Sequence, residues 1–142
     1  GNQEDFLSIL KKLGQNVKFL NVMIFNWNSE TYKYLSKYVS KVEELKVSTE
    51  FEFTGNLYDI INAANPRILR YLYIVSQTYL KSLTEIITSL KKFEHLRTLI
   101  LKDNSIEGTL CVIDQVLLFA QAIDNMRELE ELELTVDCSD LS

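Results

Sequence analysis

The side chains best suited to nucleophilic or soft-metal chemistry are few in this 142-residue chain: Cys111, Cys138 and the single His95. A zinc site draws its ligands from a cluster of about four Cys, His or carboxylate groups, and no such spacing occurs. Cys111 stands in the apolar run Leu110-Cys111-Val112-Ile113 and reads as a buried, inert thiol. Cys138 is near the last residue and is expected to be exposed. A Cys–His pair would need the fold to bring distant residues together. His95 follows Lys91 and Lys92 at the end of a predicted helix, where the helix dipole favours a cationic ring. Gly14, Gly55 and Gly108 lie more than forty residues apart, so neither a phosphate-binding loop nor a dinucleotide fingerprint is present. These residues predict a protein that is not an enzyme and has no catalytic residues, metal or cofactor.

Charge and hydropathy narrow the partners. Fifteen Lys plus Arg against twenty Asp plus Glu give a formal net charge of −5 without a basic block. Phosphate-backbone affinity comes from clustered cations, so no nucleic acid is expected. No apolar run approaches the ~20 residues that cross a bilayer, so no membrane is expected either. Two cysteines and no Asn-x-Ser/Thr sequon favour an intracellular protein, cytoplasmic or nuclear. With 46% hydrophobic and 25% charged residues, the chain has the composition of one globular domain.

The elements that would position any site come from a repeat. Five segments share an apolar residue, two free positions, an apolar, one free and an apolar. They begin at Val17, Val42, Leu69, Leu96 and Leu129, spaced 25, 27, 27 and 33 residues apart. The last two apolar residues of each are two apart, the period that sends both to one face of a strand. Between strands the apolar period changes to about 3.6, which predicts helices. Phe6, Ile9, Leu10 and Leu13 mark the first, capped by Asp5. Tyr32, Leu35 and Val39 mark the second, starting at Asn28 or Ser29. Leu57, Ile60, Ile61 and Ala64 mark the third, stopped by Asn65-Pro66. Leu80, Leu83, Ile86, Ile87 and Leu90 mark the fourth. Leu110, Ile113, Val116, Leu117, Ala120 and Ile123 mark the fifth.

Strand followed by helix, repeated, implies parallel strands with right-handed crossovers. Two α/β folds satisfy this: a curved solenoid with strands inside and helices outside, and a compact doubly wound domain. Near-identical strand signatures favour the solenoid. The pattern resembles leucine-rich repeats of the long, helix-containing type. Its fullest signature is Leu96-x-x-Leu99-x-Leu101-x-x-Asn104-x-Ile106. In that family the Asn bonds backbone groups of the turn leaving the strand; Phe25, Glu50, Gln77 and Asp137 stand at the corresponding positions of the other repeats. The resemblance implies a leucine-rich-repeat solenoid, strands on the concave face and helices on the convex face. Residues 1–142 then form one domain, with a capping helix over 1–16 and about four and a half repeats over 17–136. The array is expected to be a piece of a longer chain. The run Phe6 to Val17, followed by Val42-Glu43-Glu44-Leu45-Lys46-Val47, is also similar to the repeat region of F-box proteins. This implies substrate recognition for a ubiquitin ligase; a repeat domain of an innate-immune or signalling receptor is the alternative. A small α/β enzyme is the remaining one.

In repeat geometry the third, fifth and seventh positions point out of the concave sheet. They predict a partner-binding surface of Phe19, Lys46, Tyr71, Tyr73, Val75, Ile100 and Lys102, an aromatic and aliphatic patch flanked by two cations. Its ligand is a protein or peptide, with acidic groups against the lysines. Two further surfaces are candidates for self-association. The helix 110–123 is apolar nearly all round, and the last strand leaves an unpaired edge that Glu130, Glu131 and Glu133 discourage from pairing.

Overall fold

A computed structural model describes residues 2–13, 16–49, 57–76, 83–103 and 113–136. Among these residues five helices alternate with five strands: α1 (Asn2–Lys12), β1 (Phe19–Ile24), α2 (Ser29–Val39), β2 (Glu44–Thr49), α3 (Leu57–Asn62), β3 (Tyr71–Ser76), α4 (Leu83–Leu90), β4 (Thr98–Asp103), α5 (Ile113–Asp124) and β5 (Glu131–Val136). The strands form one parallel sheet in the order β1-β2-β3-β4-β5. A doubly wound domain reverses its strand order at a switch point; this sequential order has none. Each helix packs against the one before it, so the helices form a row over one face of the sheet. Among the described residues no helix covers the other, open face.

Each strand begins two residues later than the first apolar residue of its repeat. That residue is instead buried in the approach to the strand, as Val42, Leu69 and Leu96 are. Register is uniform: Leu20, Leu45, Leu72, Leu99 and Leu132 stand side by side, as do Val22, Val47, Ile74, Leu101 and Leu134. In β2, β3 and β4 these residues are at most 1% exposed. Burying each stabilises the fold by about 1.5–3 kcal/mol relative to leaving it in water. The repeat also has an earlier apolar position, three residues before the first: Val39, Phe93 and Met126 are all buried.

The joins explain the register. The carbonyls of Lys18, Glu43, Arg70 and Arg97 each accept two N–H groups from the next repeat, at 2.7–3.1 Å. The same backbone contact, made at each join, sets every strand in step with its neighbour. Asn28 caps α2: its Oδ1 accepts from the Thr31 N–H and the Thr31 hydroxyl, both at 3.0 Å. The cap lets Thr31 be fully buried with its polar atoms paired.

Several expectations are corrected. Asp5 lies in the first turn of α1 and does not cap it, because the helix already begins at Asn2. Ile9 is exposed, since α1 turns Leu10 towards α2. α3 ends at Asn62; Ala63 and Ala64 continue as a tight turn, their N–H groups on Ile60 and Ile61 carbonyls. α5 begins at Ile113 and buries Phe119 and Ala122, whereas Leu117 is 58% exposed and Ala120 also faces solvent. Leu132 and Leu134 are each 43% exposed, because among the described residues no helix follows β5 to cover them. His95 sits beyond the end of α4 and meets a carboxylate, Glu128, at 3.2 Å. Leu80, Asn104, Ile106, Leu110, Cys111 and Cys138 lie outside the described residues, as do Glu50, Gln77 and Asp137.

Candidate functional site

On the open face, alternate residues of each strand line up into rows across the sheet. One row reads Phe19, Glu44, Tyr71, Thr98, Glu131; the next, Asn21, Lys46, Tyr73, Ile100, Glu133. In the third, Val75 stands between Ser48 and Lys102. Parallel register therefore gathers all seven of the residues expected to bind a partner onto one face. Phe19, Lys46, Tyr71 and Tyr73, with Glu44 and Thr98, line a shallow depression of about 160 Å³. Ile100 adjoins Tyr73 on the neighbouring strand, and Lys102 adjoins Val75.

Tyr73 organises the centre. The Lys46 Nζ lies 4.5 Å from its ring centroid and the Lys102 Nζ 5.4 Å. Both distances suit attraction between an ammonium and the electron-rich ring face. Lys102 also reaches Glu133 at 3.5 Å. A hydrogen bond with the Tyr73 side chain, followed by the attraction of Glu133, pushes the Lys102 ammonium above the ordinary lysine range. The two cations expected to meet acidic groups of a ligand are thus already engaged from within: both by Tyr73, and Lys102 by Glu133 as well.

The face is graded. At β1 it is apolar, with Phe19 55% and Met23 50% exposed. Its centre is tyrosine and lysine, and its far edge carries Glu131 and Glu133. Such a surface fits an extended ligand lying across the strands better than a small molecule in an enclosed pocket.

An aromatic cluster at the outer edge of β1 was not anticipated. Phe6 stacks on Trp27 with centroids 4.5 Å apart; Phe25 and Tyr32 each lie 5.8 Å from Trp27. With Asn21 and Met23, the Phe6, Phe25 and Trp27 side chains line a second depression of about 350 Å³. Its sequence signal is the pair of aromatics, Phe25 and Trp27, flanking Asn26 in the segment that leaves β1. Phe25 stands where the leucine-rich-repeat pattern has Asn. Its carbonyl accepts from the Trp27 N–H and the Tyr32 hydroxyl, so this turn is satisfied without the amide.

A larger depression of about 480 Å³ lies on the helix side, between α3 and α4. Its polar lining is turned inward: Lys92 donates to the Asn62 carbonyl and side chain, both at 2.9 Å, and Ser89 meets Asn62 at 3.3 Å. Partial burial holds the Lys92 pKa below its ordinary value. Among the described residues no group of three or more His, Cys, Asp or Glu side chains is placed to hold a metal ion. No helix among them is long and apolar enough to cross a membrane. Comparison with protein-family models, curated proteins and solved structures found no match to this chain.

Proposed function

We propose that the chain is a leucine-rich-repeat solenoid whose open, concave sheet binds a protein or peptide ligand without catalysis. The observation that carries this reading is the Tyr73 ring held between Lys46 and Lys102, beside the exposed Tyr71 and Phe19 rings. Aromatic side chains held in place by their neighbours bind with little loss of rotamer freedom, which is why they dominate interface hot spots. The gradient of the face selects the ligand: apolar or aromatic side chains towards β1, basic side chains towards Glu131 and Glu133. The similarity to the repeat region of F-box proteins makes a substrate delivered to a ubiquitin ligase the partner class this reading carries.

Affinity capture from native extract with quantitative mass spectrometry tests it. Tyr73→Ala is expected to lower recovery of the specific partner at least about tenfold, the weight of a hot-spot residue. The variant's melting temperature should stay within a few degrees of the parent, because Tyr73 stands on the open face, only partly buried and outside the hydrophobic core. Recovery at parental yield by a folded Tyr73→Ala protein overturns the assignment.

A further inference from the structure

The cations of this chain are scattered in sequence, and the fold collects most of them at one edge. The strands are parallel, so every helix ends at the edge where the next strand begins. The Tyr38 hydroxyl, near the end of α2, donates to the Leu13 carbonyl after α1, and Lys92, after α4, donates to the Asn62 carbonyl that ends α3. On the strand side, the carbonyls of Lys18, Glu43 and Arg70 join each approach to the next. Four linking segments meet there: 11–18, 37–43, 62–70 and 91–97. They hold ten of the fifteen Lys and Arg but only two of the twenty Asp and Glu, Glu43 and Glu94. Beyond Arg97 the edge turns acidic, with Asp124, Glu128 and Glu130 around Arg127.

Helix dipoles account for part of this concentration. Lys11, Lys12, Lys37, Lys41, Lys91 and Lys92 lie in the last turns or just after them, where cations are stabilised. That effect fades past the last turn, yet Lys18, Arg67, Arg70 and Arg97 stand further on, beside the strands. Arg70 and Arg97 are direct neighbours, joined by the Arg97 N–H on the Arg70 carbonyl at 2.7 Å. Like charges side by side disfavour strand pairing, and an anion against both guanidinium groups would remove that repulsion. Lys12, Lys18, Lys37, Arg67 and Arg97 are exposed, and none forms an ion pair among the described residues.

We propose that this edge binds an acidic protein segment, a run of Asp and Glu side chains laid across the approaches to β1, β2, β3 and β4. Three features favour a peptide over other polyanions. Tyr38 and Phe93, the Tyr and Phe of the four segments, are buried, so bases of a single-stranded nucleic acid find no ring to stack on. No large apolar side chain is exposed among the described residues of these segments, so nothing there enters a lipid interface. The edge spans about 14 Å along the strands and about 24–30 Å along the helices, the reach of about four to nine extended residues. A long duplex would run past it onto a surface where carboxylates outnumber cations. None of these cations belongs to the open-face patch, so each surface is tested without the other.

Fluorescence anisotropy with a labelled peptide of about eight alternating Glu and Asp residues decides the matter. At about 50 mM salt the chain should bind it saturably, and about 200 mM salt should weaken binding severalfold by screening. Arg70→Gln combined with Arg97→Gln should weaken binding about tenfold. Leu117→Glu combined with Ala120→Glu lowers the net charge equally on the exposed side of α5, and should change binding less than about twofold. Circular dichroism melts matching the parent keep a folding defect from imitating the loss. Lys12→Gln combined with Lys37→Gln, on the helix side of the edge, replaces the arginine pair if that variant unfolds, with the same loss expected. Absence of binding at about 50 mM salt overturns the proposal, as does an equal loss in the edge and α5 variants. Tighter binding of a single-stranded or duplex oligonucleotide of equal charge, or of phosphatidylserine vesicles, also overturns it.

Discussion

The middle of the sheet and its last strand carry the same apolar spacing, yet only the middle buries it. Leu72 and Ile74 in β3, like Leu99 and Leu101 in β4, are closed off from solvent, whereas Leu132 and Leu134 in β5 are almost half exposed. The same apolar spacing thus gives different burial, because here burial comes from the neighbouring strand–helix units and not from the strand itself. The open face shows the complementary difference. There the middle gathers tyrosine and lysine, while β5 presents carboxylates.

This comparison predicts unequal responses to equal truncations. Leu99→Ala, in the middle, should cost about 2–5 kcal/mol in urea unfolding, the range for a buried leucine that leaves a cavity. Asn28→Ala should cost about 1 kcal/mol by removing the cap of α2 and the partner of the buried Thr31 hydroxyl. Leu132→Ala, in the same row as Leu99, should cost less than about 1 kcal/mol for the monomer, since much of its surface is already wet. Equal losses at Leu99 and Leu132 would break the contrast between middle and end. The smallest effect concerns charge. Lys102 is held above its ordinary pKa, so its contribution is complete below that value and fades as pH rises through the elevated one. Glu133→Gln should move the Lys102 titration back towards the ordinary value in NMR of the lysine Cε signals, while the melting temperature at neutral pH stays unchanged.

The alternation of strand and helix, and all seven residues of the open-face patch, were legible from the five aligned apolar segments. A period of two fixes which side chains share a face whatever the curvature, and near-constant spacing fixes their row. Strand boundaries were less legible, because the first apolar residue of each repeat is buried in the approach to the strand and not in the strand. α5 was misread: Leu117 fits an apolar periodicity, but the side that is buried is chosen by tertiary contact, and it carries Phe119 and Ala122. The engagement of Lys46 and Lys102 by Tyr73 was invisible too, since it depends on three strands meeting in register. The Phe6–Trp27 stack joins residues 21 positions apart and follows no repeat.

Methyl NMR of the chain, titrated with the partner recovered by affinity capture, tests the central claim most directly. The account predicts that Val75 and Ile100 methyl signals, on the open face, shift or broaden first, while Ile86, Ile87 and Leu90 in the helix layer stay in place. Perturbations centred on the helix layer, with Val75 and Ile100 unmoved, would contradict it.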